Sequence, residues 1–374
     1  MKNLSFVFLL MLNISAFCQS DFRLNLESRS GYEYNVFNAN NTVTLVDEGD
    51  SIPAVQSSNY QHFSGSASLN FKSKYHRLQI DGRLWYDYYP ELKVANLIRP
   101  KAGIKYTLKA SKKHSFSLEG NYNAYRTNRP ADDTEVLLPP RSYERLRANA
   151  KYALKPFKGN QIYFKAEGIR NDYQTQDDRI FNYNALEYTG SLSRRIYYSK
   201  RQSHTVGFKA IYTKRLYEDI RFIEDTDEVT ERDREWIYTR YIIDYTWRWQ
   251  KKYKLVFGFS KTDRRDILQD RFGYTNYQPY MRFSIKGKRI KLSMRASVAR
   301  RDYLTLRANS NSSELLQHEY LRAGMNAQVK LSERLSLTIK ASGIRRFRNF
   351  SEGATSFLAY DNFNVSMGLK YNLF

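Results

Sequence analysis

The sequence predicts an all-β protein: a single transmembrane antiparallel β-barrel of about 16 strands, with 14 or 18 as the neighbouring counts. Three observations predict it. The 374 residues hold 31 Tyr and 22 Phe but only 8 Pro, a composition rich in β-formers and poor in strand breakers. From Asp21 onward, runs of about 10–15 residues alternate apolar and polar, the period of a strand with two unlike faces. The connections between these runs are short and long in turn. Short turns fall near 73–74, 111–113, 157–160, 199–202, 251–252, 287–288 and 332–333. Long polar loops fall near 38–59, 90–96, 127–140, 175–182, 219–234, 267–273, 305–313 and 350–359. These connections imply an even number of strands, with both chain ends on the short-turn side.

Taken in chain order, residues 1–18 read as a secretory signal peptide. Met1-Lys2-Asn3 is a basic start, Leu4 to Leu12 an apolar run, and Ala16-Phe17-Cys18 a small-residue site, with the cut expected after Cys18. Residues 19–374 are then the barrel. Cys18 is the single cysteine, so neither a disulfide framework nor a multi-cysteine metal site is available. No other apolar run approaches the length of a membrane helix.

The clearest alternation spans 236–250. Ile237, Thr239, Tyr241, Ile243, Tyr245, Trp247 and Trp249 lie on one face; Tyr238, Arg240, Ile242, Asp244, Thr246, Arg248 and Gln250 lie on the other. Lys251-Lys252 is the expected tight turn into the next strand, whose apolar face is Tyr253, Leu255, Phe257 and Phe259. Phe63 to Phe71, Leu78 to Tyr88, Ala323 to Leu331 and Phe363 to Leu373 repeat the pattern. Strands of this length can cross a bilayer at a tilt, whereas sandwich strands average about 5–6 residues. In lipid, only a closed ladder satisfies every backbone group. Aromatics gather near strand ends, as interfacial girdles require: Trp247, Trp249, Tyr197, Tyr198 and Tyr371 on the short-turn side, and Tyr88, Tyr89, Tyr122, Tyr125, Trp236 and Tyr238 on the long-loop side.

On these features the chain resembles the outer-membrane β-barrel proteins of Gram-negative bacteria, specifically the mid-sized porin-like barrels. The sharpest local match is the closing amphipathic strand from Phe363 to the terminal Phe374. The resemblance implies residence in the outer membrane, contact with its lipid and lipopolysaccharide, and recognition of the Phe374 strand by the barrel-assembly machinery. One departure is visible: Phe374 is a residue out of phase with the apolar face, following Leu373.

The formal charge is +23, from 61 basic and 38 acidic residues. Such a balance commonly points to nucleic acid. Here, however, the basic residues fall on the polar phase of successive strands rather than on a helix or tail, so nucleic acid is excluded. The candidate lumen residues are Arg83, Lys105, Arg145, Arg147, Lys165, Arg240, Arg248, Arg282, Arg295 and Arg322. The same phase carries fewer acids: Glu27, Asp81, Asp87, Glu119, Glu167, Glu187 and Asp244. A barrel of about 16–18 strands can hold water, and rings of Arg and Lys in it favour anions. The expected function is diffusion of small anionic solutes. An exporter barrel for an anionic polysaccharide and a non-conducting structural or assembly barrel are the alternatives.

No cofactor or metal is expected. The acidic loop from Asp219 to Arg234 lacks the spacing of a calcium loop and reads as solvated. His76, His114 and His204 sit beside short turns, where solvated surface is the default reading. An enzyme is not expected either. Ser310, Ser312 and Ser313 lie near His318 and Glu314 in a way a lipid hydrolase could use, but sequence spacing alone does not define such a site.

Overall fold

The structure, a computed structural model, describes residues 19–36, 44–47, 50–53, 55–127, 142–173, 182–217, 222–223, 228–229, 234–267, 273–308, 313–349 and 359–373. Residues 1–18, read above as a signal peptide, and Phe374, Ser310, Ser312 and all the carboxylates of the acidic loop except Glu228 lie outside the described residues; of Glu228 only the backbone is described. The barrel strands are β1 (Gln19–Tyr34), β2 (Ser58–Lys72), β3 (His76–Tyr88), β4 (Leu97–Leu108), β5 (His114–Thr127) and β6 (Tyr143–Leu154). They continue as β7 (Asn160–Tyr173), β8 (Tyr183–Tyr197), β9 (Gln202–Tyr217), β10 (Arg234–Trp249) and β11 (Tyr253–Asp266). The last are β12 (Tyr274–Lys286), β13 (Ile290–Arg307), β14 (Leu315–Lys330), β15 (Leu335–Arg348) and β16 (Tyr360–Asn372).

Each strand pairs antiparallel with its sequence neighbours, and β16 returns to β1 from Asn25↔Asn372 to Tyr34↔Phe363, closing a sixteen-stranded barrel. Closure leaves no free sheet edge, which is the condition for placing strands in lipid. Two short hairpins, Thr44–Asp47 with Asp50–Pro53 and Phe222–Ile223 with Glu228–Val229, sit within long loops.

Because side chains alternate across a strand, the register sorts the whole chain into two faces. The outward face carries large exposed apolar side chains: Leu84 at 52%, Phe164 at 61%, Ile243 at 56% and Met367 at 57% of their full exposure. Above this belt, at the long-loop end, outward positions turn to ion pairs: Arg170–Asp172, Lys214–Glu235, Arg300–Asp302 and Arg345–Asp361. An apolar band bounded by charge on a closed barrel is a lipid-facing surface, and the molecule is an outer-membrane-type barrel.

At the short-turn end the outward face carries most of the predicted aromatics, with Trp247 stacked on Trp249 and Tyr198 largely exposed, whereas Tyr197 shares the inward phase of Thr189 and Arg195. The three histidines there are hydrogen-bonded rather than simply solvated. The Nδ1 atoms of His76, His114 and His204 meet the hydroxyls of Tyr106, Tyr152 and Tyr245 on the next strand at 2.6, 2.6 and 2.5 Å. The long-loop end corrects the girdle expectation. Tyr125, Trp236 and Tyr238 share the phase of Arg240 and face inward, and Tyr89 is buried. Proximity to a strand end placed these rings at the right height, but the two-residue period places them on the inner side.

Candidate functional site in the barrel lumen

Register puts every candidate cation on the inner face. Arg83 lies opposite Ser66 and Lys101, Lys105 opposite Glu119, Arg145 opposite Asn123 and Asn171, and Arg147 opposite Asn121. Lys165 lies opposite Lys151, Arg240 opposite Thr262, Arg248 opposite Lys254, Arg282 opposite Arg295, and Arg322 opposite Ser297. Their partners divide the wall into two sectors.

In the first sector, centred on β4–β8 and repeated at the β15–β1 seam, Lys105, Lys165 and Lys340 are matched by carboxylates, while the arginines meet amides and rings as well. Lys105 Nζ lies 2.8 Å from Glu119 Oε2, and Asn121 Nδ2 donates to the other Glu119 oxygen at 2.8 Å. Lys165 Nζ sits between Glu187 at 3.0 Å and Glu167 at 3.4 Å. Glu27 receives Lys340 at 2.8 Å and Arg29 at 2.7 Å. Arg145 donates through Nε to Asn171 Oδ1 at 2.7 Å and covers the Tyr143 ring; Arg83 covers Trp85 at 5.0 Å.

In the second sector, β10 to β14, the candidate cations lose their carboxylates, and an ion pair, Arg234 with Asp266, remains at the long-loop end. Among the described residues, no carboxylate lies within ion-pair distance of Arg240, Arg248, Arg282, Arg295 or Arg322. Arg240 Nε donates to Thr262 Oγ1 at 2.9 Å. Arg282 and Arg322 lie over the Tyr280 and Tyr320 rings at 5.1 and 4.6 Å. Arg240, Arg282, Arg295 and Arg322 line a cavity of about 480 Å³ together with Gln278, Ser260, Ser297 and Asn362. Two inward glycines shape it. A Cβ on Gly258 would lie 2.2 Å from Tyr280 Cζ, and one on Gly324 would lie 3.0 Å from Arg295 Nε. Glycine at these positions lets the ring and the guanidinium lie flat against the neighbouring strand. With water present, a cation on this wall keeps much of its hydration, so no private counter-charge is required, and the field it projects is open to solutes.

A third feature escaped the sequence reading: a collar of arginines and aromatic rings inside the long-loop end. Arg99 lies 4.7 Å from the Tyr125 ring, which stacks on Tyr143. Arg215 lies between Tyr183 and Tyr238 at 4.7 and 4.6 Å. Arg264 lies 4.4 and 4.3 Å from the Trp236 and Tyr274 rings, and Arg301 lies 4.4 Å from the Tyr274 ring. The signal that could have found it is the recurrence of Tyr on the basic phase, one or two residues from a long loop. His318 belongs to this collar. Its Nδ1 lies 3.1 Å from Arg346 Nη2, so a cation, and not Glu314, orients it. That arrangement lacks the carboxylate a Ser/His/acid site uses to orient its base.

No family model matches the sequence, and no curated protein matches it. Solved structures similar to this chain include OccD3 of Pseudomonas aeruginosa, with TM-score 0.49 and 10% identity over 94% of this chain and 92% of that one. They also include OccAB1 of Acinetobacter baumannii, with TM-score 0.49 and 10% identity over 95% and 97%. OccK2 of P. aeruginosa, solved in complex with glucuronate, has TM-score 0.47 and 10% identity over 95% and 99%.

Proposed function

We propose that the chain is a passive, porin-like channel of a Gram-negative outer membrane that favours small anionic solutes. The observation that carries this reading is the β10–β14 wall, where Arg240, Arg282, Arg295 and Arg322 surround a cavity with no carboxylate beside them among the described residues. A cationic patch on a low-dielectric wall raises the local concentration of anions and lowers that of cations. The role is electrostatic and requires no catalytic group. The short-turn end, which holds both chain ends, faces the periplasm in this reading, and the long loops face outward.

The test is the reversal potential of the folded mature chain in a planar bilayer under a potassium chloride gradient. A steady open conductance with chloride preferred over potassium is expected. Conductance without chloride preference, or a folded and inserted barrel that does not conduct, overturns the reading. The collar favours a second reading, an exporter for an anionic polysaccharide, because rings and guanidiniums together suit sugar faces and acidic groups. Block of the open current by an acidic oligosaccharide, at concentrations where the neutral analogue has no effect, distinguishes it.

A further inference from the structure

We propose that the inner wall of β13–β15 holds a discrete oxyanion-binding site, built by Arg301, His318 and Arg346 around the Tyr320 ring. It takes the carboxylate or phosphate group of a solute. The proposal rests on the channel reading for the ligand's route, since the site is reached from the lumen, but its occupancy can be scored without conduction.

Register brings the three donors together. His318 is the cross-strand partner of Arg301 on β13, and Tyr320 is the partner of Arg346 on β15. The guanidinium carbons of Arg301 and Arg346 lie 5.4 and 5.2 Å from the centre of the Tyr320 ring. His318 is 1% exposed and Arg346 6%. An arginine can only donate, so the 3.1 Å contact from Arg346 Nη2 makes His318 Nδ1 an acceptor and leaves the proton on Nε2. Tyr303 and Tyr320 meet the imidazole edge-on, with ring centres 5.2 and 6.2 Å away, and fix its plane.

Arg301 Nη1 reaches the Tyr303 hydroxyl at 3.4 Å, but three other donors of the cluster are left with nothing to donate to. His318 Nε2, Arg301 Nε and Arg346 Nε are all buried and have no hydrogen-bond partner. No carboxylate pairs with either arginine among the described residues. Burying a cation without an anion is unfavourable, and cation–π contacts offset only part of that cost. The same chain shows the alternative nearby: Arg234, equally buried, donates through Nε and Nη2 to Asp266 Oδ2 at 3.0 and 2.7 Å. At Arg234 the sequence supplies the carboxylate. At Arg301 and Arg346 it supplies a histidine donor instead, which is the arrangement for a counter-anion brought from outside. The register also shifts between Asp302 and Arg307, an irregularity that begins after Asp302, the residue following Arg301. Bulges at barrel rims commonly re-aim the adjacent side chains. The exposed Arg322, 4.6 Å from the centre of the Tyr320 ring, also lines the arginine-lined cavity and so joins the two.

The test is titration calorimetry on the folded barrel in detergent at constant ionic strength, with inorganic phosphate in one arm and acetate in the other, against chloride. Saturable single-site binding of one or both probes is expected, and the two arms tell which oxyanion is preferred. Arg301→Gln and Arg346→Gln should each weaken it at least ten-fold. Arg300→Gln, on the outer face of β13, should leave it unchanged. Should Arg346→Gln fail to fold, His318→Gln and Arg301→Lys test the same site with smaller changes in volume. No saturable binding, or binding indifferent to Arg301, His318 and Arg346, overturns the site. Loss of chloride preference with the binding intact counts against the channel reading and leaves the site standing.

Discussion

The two sectors of the lumen wall are both cationic and differ in how those cations are compensated. On β4–β8, Lys105 and Lys165 are closed by Glu119, Glu167 and Glu187, and the seam repeats this with Lys340, Arg29 and Glu27. On β10–β14, Arg240, Arg248, Arg282, Arg295 and Arg322 meet hydroxyls, rings and each other. A net charge of +23 therefore describes neither wall. One wall holds part of its charge in ion pairs, while the other carries a run of arginines with no carboxylate beside them among the described residues.

The largest expected effect concerns a cation that is fully paired. Arg234 and Asp266 are buried at 6% and 2% exposure, and Asp266→Asn strands a charged guanidinium beside a neutral amide. Breaking such a pair costs about 3–5 kcal/mol. Equilibrium urea unfolding in lipid vesicles should show a loss of that size, with the selectivity of the folded fraction unchanged. A stability loss below about 1 kcal/mol would mean that paired and unpaired arginines at the long-loop end are energetically alike, which removes the contrast.

Next in size is the selectivity change on emptying the positive wall. Replacing Arg240, Arg282, Arg295 and Arg322 together by Gln should reduce chloride-over-potassium permeability on the order of ten-fold. In the parent barrel the preference should fall between 0.1 M and 1 M salt, as the screening length drops from about 10 Å to about 3 Å. Glu187→Gln should move the other way by roughly two-fold, because it frees part of the Lys165 charge while leaving Glu167 at 3.4 Å. A reversal potential unmoved by either change would place the selectivity filter elsewhere.

Much of this fold was legible because a barrel of neighbouring antiparallel strands is a local object. The two-residue period gives the faces, the turns give the count, and only the β1–β16 closure joins distant parts of the chain. The inward placement of Arg83, Arg145, Arg240 and the other candidates follows from period alone. Compensation does not, because it depends on which residue stands opposite. Lys165 and Glu167 are two apart on one strand and could be paired by eye, but the Arg282–Arg295 juxtaposition exists only in the register of β12 and β13. His318 shows the same limit. Its sequence neighbours invited a Ser/His/acid reading, whereas its actual partner, Arg346, lies 28 residues away.

The smallest expected effect tests whether rim charge can stand in for wall charge. The turn between β10 and β11 is centred one residue earlier than the sequence reading placed it. Lys252 N–H bonds the Trp249 carbonyl at 3.2 Å, and the central residues Gln250 and Lys251 both have positive φ, 51° and 57°. Two residues in the left-handed region match the twist of a hairpin, but Asn-Gly adopts it far more readily than Gln-Lys. The double substitution Gln250→Asn, Lys251→Gly should stabilise the barrel by about 1 kcal/mol. It also removes a cation from the same positive sector, at the rim and outside the lumen. If unpaired arginines on the wall set the field, chloride preference stays at the parent value while stability rises. A drop matching that of a single lumen arginine would show that the charged short-turn rim governs selectivity, and the distinction between the two walls would lose its functional meaning.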